Sequence, residues 1–320
     1  MSSEVGVRLD AGLCFFRTAA AFFVTLRLLR GGIGQATDTM RIGNYEVHPV
    51  ETGRFALDGG AMFGVVPKPL WEKTNPPDEK NRISLAARAL LLQGGGRTVL
   101  VDAGNGGKFN EKLRSIYRIE NGASDIVTSL ARLGVTPEGV TDVILTHLHF
   151  DHAGGATTVL NGEAVPAFPR ARYYIQAEHW RAAQVPTERD RASFFPDDFL
   201  PLRGGGVLEF TEGEGEVLPG ITVRLVHGHT AALQCPVISD GTTTLFYCAD
   251  LVPTSSHVPL PWIMAYDLRP LVTLEEKRRL LSQAADEGWI MFFEHDPVLA
   301  AARLRRTEKG IVLGSPVVFE

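Results

Sequence analysis

Three imidazoles and a carboxylate fall within six consecutive positions, His147-Leu148-His149-Phe150-Asp151-His152. Neutral imidazole with carboxylate is a donor set that suits zinc and its divalent neighbours. The whole chain of 320 residues holds nine histidines, so three in so short a stretch is far from what a polar loop collects by chance. Further along, His229, Asp250 and His295 add the same ligand types. A single structural zinc needs only four ligands. Two metals about 3.5–4 Å apart can instead share a bridging hydroxide with a pKa near about 7 and leave room for substrate. The chemistry to expect is metal-dependent hydrolysis.

Something must bring these groups together. Asp142 to Leu145 reads as a short buried strand that delivers the first cluster, and Gly154-Gly155 provides a tight exit. Ser124 or Asp125 caps a preceding helix that runs to Leu133 and stops at Gly134. The alternating strand Ile221 to Val226 ends in His227-Gly228-His229-Thr230. Strands Cys235 to Ser239 and Thr243 to Cys248 flank the turn Asp240-Gly241, and the second ends at Asp250. Thr273 and Glu276 form a capping box for a helix ending near Ala285 and closed by Gly288, after which strand Trp289 to Phe293 terminates in Glu294-His295-Asp296.

Upstream, Tyr45 to Thr52 and Arg54 to Leu57 suit paired strands, and Gly59 to Gly64 reads as a flexible loop whose Met62 and Phe63 either form a substrate wall or pack as ordinary core. Ser84 to Gln93 and Arg97 to Asp102 form strands around the glycine turn 94–96, the second ending in a carboxylate. A strand at Arg172 to Gln176 and a short helix at Ala177 to Ala183 precede a loop-rich region, Val185 to Gly206. Phe194, Phe195 and Phe199 in that region either pack on the body or offer a surface for an acyl tail.

With 44% hydrophobic and 22% charged residues, the composition supports a large core. A net charge of −5 leaves no basic footprint for nucleic acid. Cys14, Cys235 and Cys248 make no disulfide framework and no CxxC pair, and the last two fill core space on strands. The apolar run Ala19 to Leu26 is shorter than the ~20 residues a spanning helix requires, so no stable membrane anchor is expected. Residues 1–39 read as an extension outside the fold, upstream of a natural start at Met40, and 40–320 as one domain. The setting expected is cytoplasmic, with secretion as the alternative, and a homodimer is the assembly considered.

The HxHxDH pattern of His147, His149, Asp151 and His152, with the later ligands in order, resembles the metallo-β-lactamase superfamily from about residue 43 to 317. The resemblance implies a four-layer αβ/βα sandwich of α+β class, with the metal site at one edge of two packed sheets. It also implies that His147, His149 and His229 hold one metal, that Asp151, His152 and His295 hold the other, and that Asp250 bridges both. The metals expected are zinc, with manganese, cobalt or iron as alternatives. Asp102 matches a strand-end carboxylate that orients ligands by hydrogen bonding.

The aspartate at the bridging position and the stretch Ala249 to Leu268 look most like N-acyl-homoserine lactonases. The resemblance therefore implies a small-molecule ester or lactone substrate, with Asp151 or Asp250 assisting proton transfer to the leaving alkoxide. Phosphoester or organophosphate hydrolysis is the runner-up, then thioester hydrolysis. A non-catalytic metal-binding module is the alternative of another class.

The chain departs from that branch at Pro253, where better-known lactonases carry a tyrosine. His257 is the expected replacement donor to the substrate carbonyl, with Tyr266 or Tyr174 as fallbacks and Tyr266 also in the substrate wall. His227, two residues from His229, is expected behind the ligands rather than among them. His179 and His48 are expected to be structural.

Overall fold

The computed structural model describes residues 40–319. The expectations for residues 1–39, including the Ala19 to Leu26 run and Cys14, lie outside the described residues.

The first half of the described chain builds one mixed sheet from β1 (Arg41–Ile42), β2 (Tyr45–Asp58), β3 (Arg82–Gly94), β4 (Arg97–Val101) and β5 (Asp142–Ile144). A separate hairpin, β6 (Thr157–Leu160) with β7 (Glu163–Pro166), precedes β8 (Arg172–Gln176) and β9 (Leu208–Thr211), which complete the sheet in the order β1-β2-β3-β4-β5-β8-β9. The second sheet runs in sequence order: β10 (Gly215–Leu218), β11 (Ile221–Val226), β12 (Leu233–Ser239), β13 (Thr244–Tyr247), β14 (Ile290–Phe292), β15 (Ala301–Thr307) and β16 (Gly310–Val317). Strands β4, β5, β8 and β9 pair in parallel, as do β13 and β14, while the remaining pairs are antiparallel.

Parallel neighbours need crossover chain, which helices provide. The helices are α1 (Gly59–Phe63), α2 (Lys68–Trp71), α3 (Glu111–Tyr117), α4 (Ile126–Arg132), α5 (Phe150–Ala153), α6 (Ala177–Gln184), α7 (Pro196–Gly204) and α8 (Pro270–Glu287). Val47, Leu90, Val99 and Ile144 of the first sheet pack with Leu233, Phe246, Met291 and Phe292 of the second, and Leu280, Leu281 and Ala284 of α8 join the same cluster. The outer face of the first sheet buries Leu91, Leu100 and Val143 against Leu130 of α4, Trp180 of α6 and Leu202 of α7. The result is helix, sheet, sheet, helix. Each fully buried aliphatic or aromatic side chain contributes about 1.5–3 kcal/mol.

Several local expectations change. Tyr45 to Thr52 and Arg54 to Leu57 do not pair with each other; they are one strand, β2, which pairs along its length with β3 and shifts register between Glu51 and Arg54. Gly59 to Gly64 is not a loop but carries helix α1, started by the Asp58 carboxylate accepting from the Ala61 amide at 2.8 Å. The Thr273–Glu276 capping box does not form, because Pro270 starts α8 a turn earlier. Glu276 instead accepts from the amides of His227 at 2.6 Å and Gly228 at 3.1 Å. The region Val185 to Gly206 is not only loop, since it contains α7. Cys235 and Cys248 are buried free thiols, as expected.

Candidate metal centre

The site gathers at the carboxyl ends of the inner strands. β4 leads to Asp102, β5 to Thr146 and His147, β13 to Asp250, and β14 to Glu294 and His295. The histidine loop is tied down before any ligand is considered. The Thr146 amide donates to Asp102 Oδ1 at 2.7 Å and its hydroxyl to Asp102 Oδ2 at 2.8 Å. The Leu148 amide donates to His179 Nε2 at 2.9 Å, and His179 Nδ1 donates to the Ala231 carbonyl at 2.7 Å, so one buried imidazole joins the two ligand loops. Burial pushes His179 down to about 4, which keeps it neutral in that role. Gly155 is needed for a close approach, because a Cβ there would collide with the Ala103 carbonyl.

Two groups of side chains converge. His147, His149, His229 and Asp250 form one, and Asp151, His152 and His295 the other, with one donor atom per residue and those atoms within 4.8 Å of one another in each group. Asp250 stands between them, with Oδ2 at 3.0 Å from His229 Nε2 and 3.4 Å from His152 Nε2, and Oδ1 at 3.3 Å from His295 Nε2.

The imidazoles are oriented from behind. His229 Nδ1 faces Asp267 Oδ1 at 2.8 Å, His295 Nδ1 faces the Ala86 carbonyl at 2.8 Å, and His152 Nδ1 lies 2.9 Å from Glu294 Oε2 and 3.1 Å from Asp102 Oδ2. His147 Nδ1 meets the Thr146 hydroxyl at 3.0 Å. With those nitrogens turned outward, the opposite nitrogens of His147, His152, His229 and His295 face inward. His147 Nε2 is 3.0 Å from His149 Nδ1, and His295 Nε2 is 3.1 Å from His152 Nε2. Asp250 Oδ1 and His149 Nε2 are buried there without a hydrogen bond. A centre of converging imidazole nitrogens and carboxylates, with such atoms left unpartnered, fits divalent cations.

The carboxylates of the centre favour positive charge on the imidazoles nearest them. Burial opposes charge on His229 and His295, yet Asp250 beside them outweighs it and raises them to about 10 and about 9. Burial and neighbouring imidazoles hold His147 and His149 well below the usual histidine range, leaving them neutral. Glu294 is pushed up to about 8, chiefly by burial.

A cavity of about 290 Å³ opens over the cluster, with His149, Asp151, His229, Asp250 and His295 in its floor. Leu57, Met62, Leu85, Phe150 and Met264 give it an apolar wall, while Tyr117, Tyr266 and Arg189 supply polar groups.

A match to the family model described as the metallo-beta-lactamase superfamily covers residues 85–295, most of the described chain. The chain belongs to the metallo-β-lactamase superfamily. Among relatives, it is 31% identical to an N-acyl homoserine lactonase of Bacillus cereus over 174 residues, 53% of this chain and 62% of that protein. It thus spans less than two thirds of the length of that curated relative. Among solved structures, a probable metal-dependent hydrolase from Staphylococcus aureus matches with a TM-score of 0.78 at 30% identity, covering 87% of this chain and 100% of that one. The dizinc quorum-quenching lactonase AidC shares the fold, with a TM-score of 0.74 at 20% identity over 88% of this chain and 98% of its own.

Within this superfamily fold, all seven residues expected as ligands come together, and Asp102 lies behind them. His227 does not. Its Nδ1 accepts from the Ala232 amide at 3.2 Å, and it lines a surface pocket with Glu178 and Arg181. Strand β11 stops at Val226, so the every-second-residue rule no longer carries His227 to the face of His229. Gly228 between them is pressed against Thr273, where a Cβ would collide.

His257 is also withdrawn as a donor to substrate. Its Nε2 donates to the Met62 carbonyl at 2.8 Å, its Nδ1 meets the Thr254 hydroxyl at 2.8 Å, and its ring stacks on Phe63 at 4.6 Å. Phe63 is fully buried between His257 and Trp71 and does not line this cavity, whereas Met62 and Tyr266 do. Tyr174 is occupied elsewhere, donating to Asp142 at 3.1 Å. Phe194 packs on His149, Phe195 on Phe150 and Phe199 on Trp180, so these rings support the site from outside the cavity. Sequence reasoning missed Asp267, Glu294, Tyr117 and Arg189. Glu294 sits beside a ligand at a strand end, which is a usable signal; Tyr117 and Arg189 carry none.

Proposed function

We propose that the chain is a binuclear metal-dependent hydrolase that opens a lactone or related ester of the N-acyl-homoserine-lactone type. The observation that carries this reading is the joining of the two ligand groups through Asp250 beneath a cavity with an apolar wall. The curated Bacillus relatives named N-acyl homoserine lactonase support the choice of lactone over other esters. In this reading His147, His149 and His229 would hold one ion and Asp151, His152 and His295 the other, with Asp250 available to both; zinc suits the donor set. Two divalent ions, when bound there, supply Lewis-acid polarisation of the substrate carbonyl and a water acidic enough to attack at neutral pH.

The chain's own residues do the rest. Asp267 and Asp102 hold His229 and His152 with their inner nitrogens aimed at the centre, and Glu294 lies beside His152 Nδ1. Met62, Leu85 and Met264 keep water from the acyl part of the substrate. Asp151 and Asp250, both in the cavity floor, are positioned to pass a proton to the leaving alkoxide. The Tyr266 hydroxyl, lining the same cavity, donates to the substrate carbonyl in place of the absent tyrosine at position 253. Residues 40–320 act as one domain.

A kinetic screen of lactones of graded acyl length, phosphotriesters and thioesters on one metal-loaded preparation tests this. Lactone turnover that improves with an acyl chain is expected. Turnover of phosphotriesters or thioesters alone would replace the substrate assignment.

A further inference from the structure

Lys277 is 1% exposed inside α8, an unusual place for an ammonium. Among the described residues no carboxylate lies within ion-pairing distance of it. Its Nζ donates to backbone carbonyls of one segment: His257 at 2.7 Å, Pro259 at 2.9 Å, Trp262 at 2.7 Å and, more loosely, Leu260 at 3.4 Å. Burial pushes this amine down to about 7, and the negative charge of Asp267 opposes that. Three N–H groups among four carbonyls leave no donor free, and without them the His257 and Trp262 carbonyls would lose their hydrogen bonds, while the Pro259 carbonyl would keep the Trp262 amide at 3.0 Å.

The segment that supplies the cage has little regular structure of its own beyond one turn at Ser255–His257. Its attachments are those of the cavity wall. The His257 ring donates to the Met62 carbonyl at 2.8 Å, the Trp262 ring meets Phe63 edge-on at 5.5 Å, and the Ala265 amide donates to the Ala61 carbonyl at 2.8 Å. Met62, Met264, Ala265 and Tyr266 then line the cavity. The end of the segment nearest the metal ligands is held separately, by the Leu268 amide on the His229 carbonyl at 3.1 Å and the Arg269 amide on the Gly228 carbonyl at 2.8 Å.

We propose that Lys277 is a positioning residue: its ammonium fills a cage of backbone carbonyls and so fixes the wall formed by Met62, Met264 and Tyr266 that holds the acyl part of the substrate. The substrate half of this inference rests on the hydrolase reading above; the cage does not. Because the ligand end has its own bonds, loosening the cage acts on substrate binding more than on the reacting centre.

The test uses the full chain with Lys277→Ala and Lys277→Met. Truncation to alanine strands the His257 and Trp262 carbonyls and lowers the melting temperature by roughly 5–10 °C. Added n-propylammonium, which replaces the missing stem and its donors, restores most of that loss, whereas 1-propanol does not. Lys277→Met keeps the volume without donors; it raises KM for an acyl lactone several-fold, changes kcat less and leaves metal content at the wild-type level. A Lys277→Ala protein indifferent to n-propylammonium overturns the cage. If that variant does not fold, a Lys277→Met protein with wild-type melting and wild-type KM overturns it instead. A wild-type protein that hydrolyses no ester sinks the hydrolase reading, while the amine-dependent melting still decides the cage.

Discussion

Removing Asp267 should loosen the first metal group without touching a ligand. Its Oδ1 lies 2.8 Å from His229 Nδ1, and both residues are buried. Asp267→Asn keeps the shape and an acceptor but removes the charge; Asp267→Ala leaves the Nδ1–H unpaired in a buried setting. Such outer partners are worth about 10- to 100-fold in metal affinity, or about 1.4–2.8 kcal/mol. Loss of charge alone belongs at the lower end, near tenfold. The stranded donor adds about 1–3 kcal/mol and places the alanine variant near or beyond the upper end. The main-chain bonds of Leu268 and Arg269 to the His229 segment keep the backbone in place, so the variants should remain folded. Competition of each chelator-stripped protein against a fluorescent metal indicator measures the affinities, with circular dichroism as the control for folding. Wild-type affinity in both variants would refute the claim that His229 is held for metal by Asp267.

His257→Ala should destabilise the protein by about 3 kcal/mol through lost bonds to Met62 and Thr254 and lost stacking on Phe63, with metal content unchanged; thermal unfolding with elemental analysis checks both halves. Tyr266→Phe should leave stability within about 0.5 kcal/mol, since its hydroxyl has no hydrogen bond among the described residues, and lower kcat/KM for lactones about tenfold, the value of one hydrogen bond. In the metal-free protein the raised His229 and His295, at about 10 and about 9 against 6.5, contribute stability that is complete below pH 6.5 and lost as pH rises through those values. Denaturant unfolding of stripped protein should therefore weaken across that window, and metal affinity should climb over it because the ions replace those protons; stability that rises with pH there would reverse the assignment.

The converging cluster was legible because residues of these types leave dense local traces. Three imidazoles in six positions mark themselves, and His229, Asp250 and His295 each follow a run of strand residues. The helix at Asp125 and the strand at Arg172 were equally local, set by a cap and by alternation. What escaped depends on contacts distant in sequence. Glu276 looked like half of a capping box until Pro270 began the helix earlier, freeing its carboxylate for the His227 and Gly228 amides. Gly59 and Gly60 argued for a loop, yet the Asp58 cap and burial of Met62 and Phe63 outweigh glycine's poor helix propensity. Phe63 and His257 satisfy each other as a stacked pair, and nothing local distinguishes that from two residues facing a substrate. Lys277 reads as an ordinary charge on a helix until the carbonyls of 257–262 surround it.

The number of ions the chain binds decides most directly whether the centre is binuclear. Titration of chelator-stripped protein with zinc, followed by elemental analysis after gel filtration, should give two ions per chain, one for each converging group that Asp250 joins. Protein that leaves the column with no bound ion would contradict it.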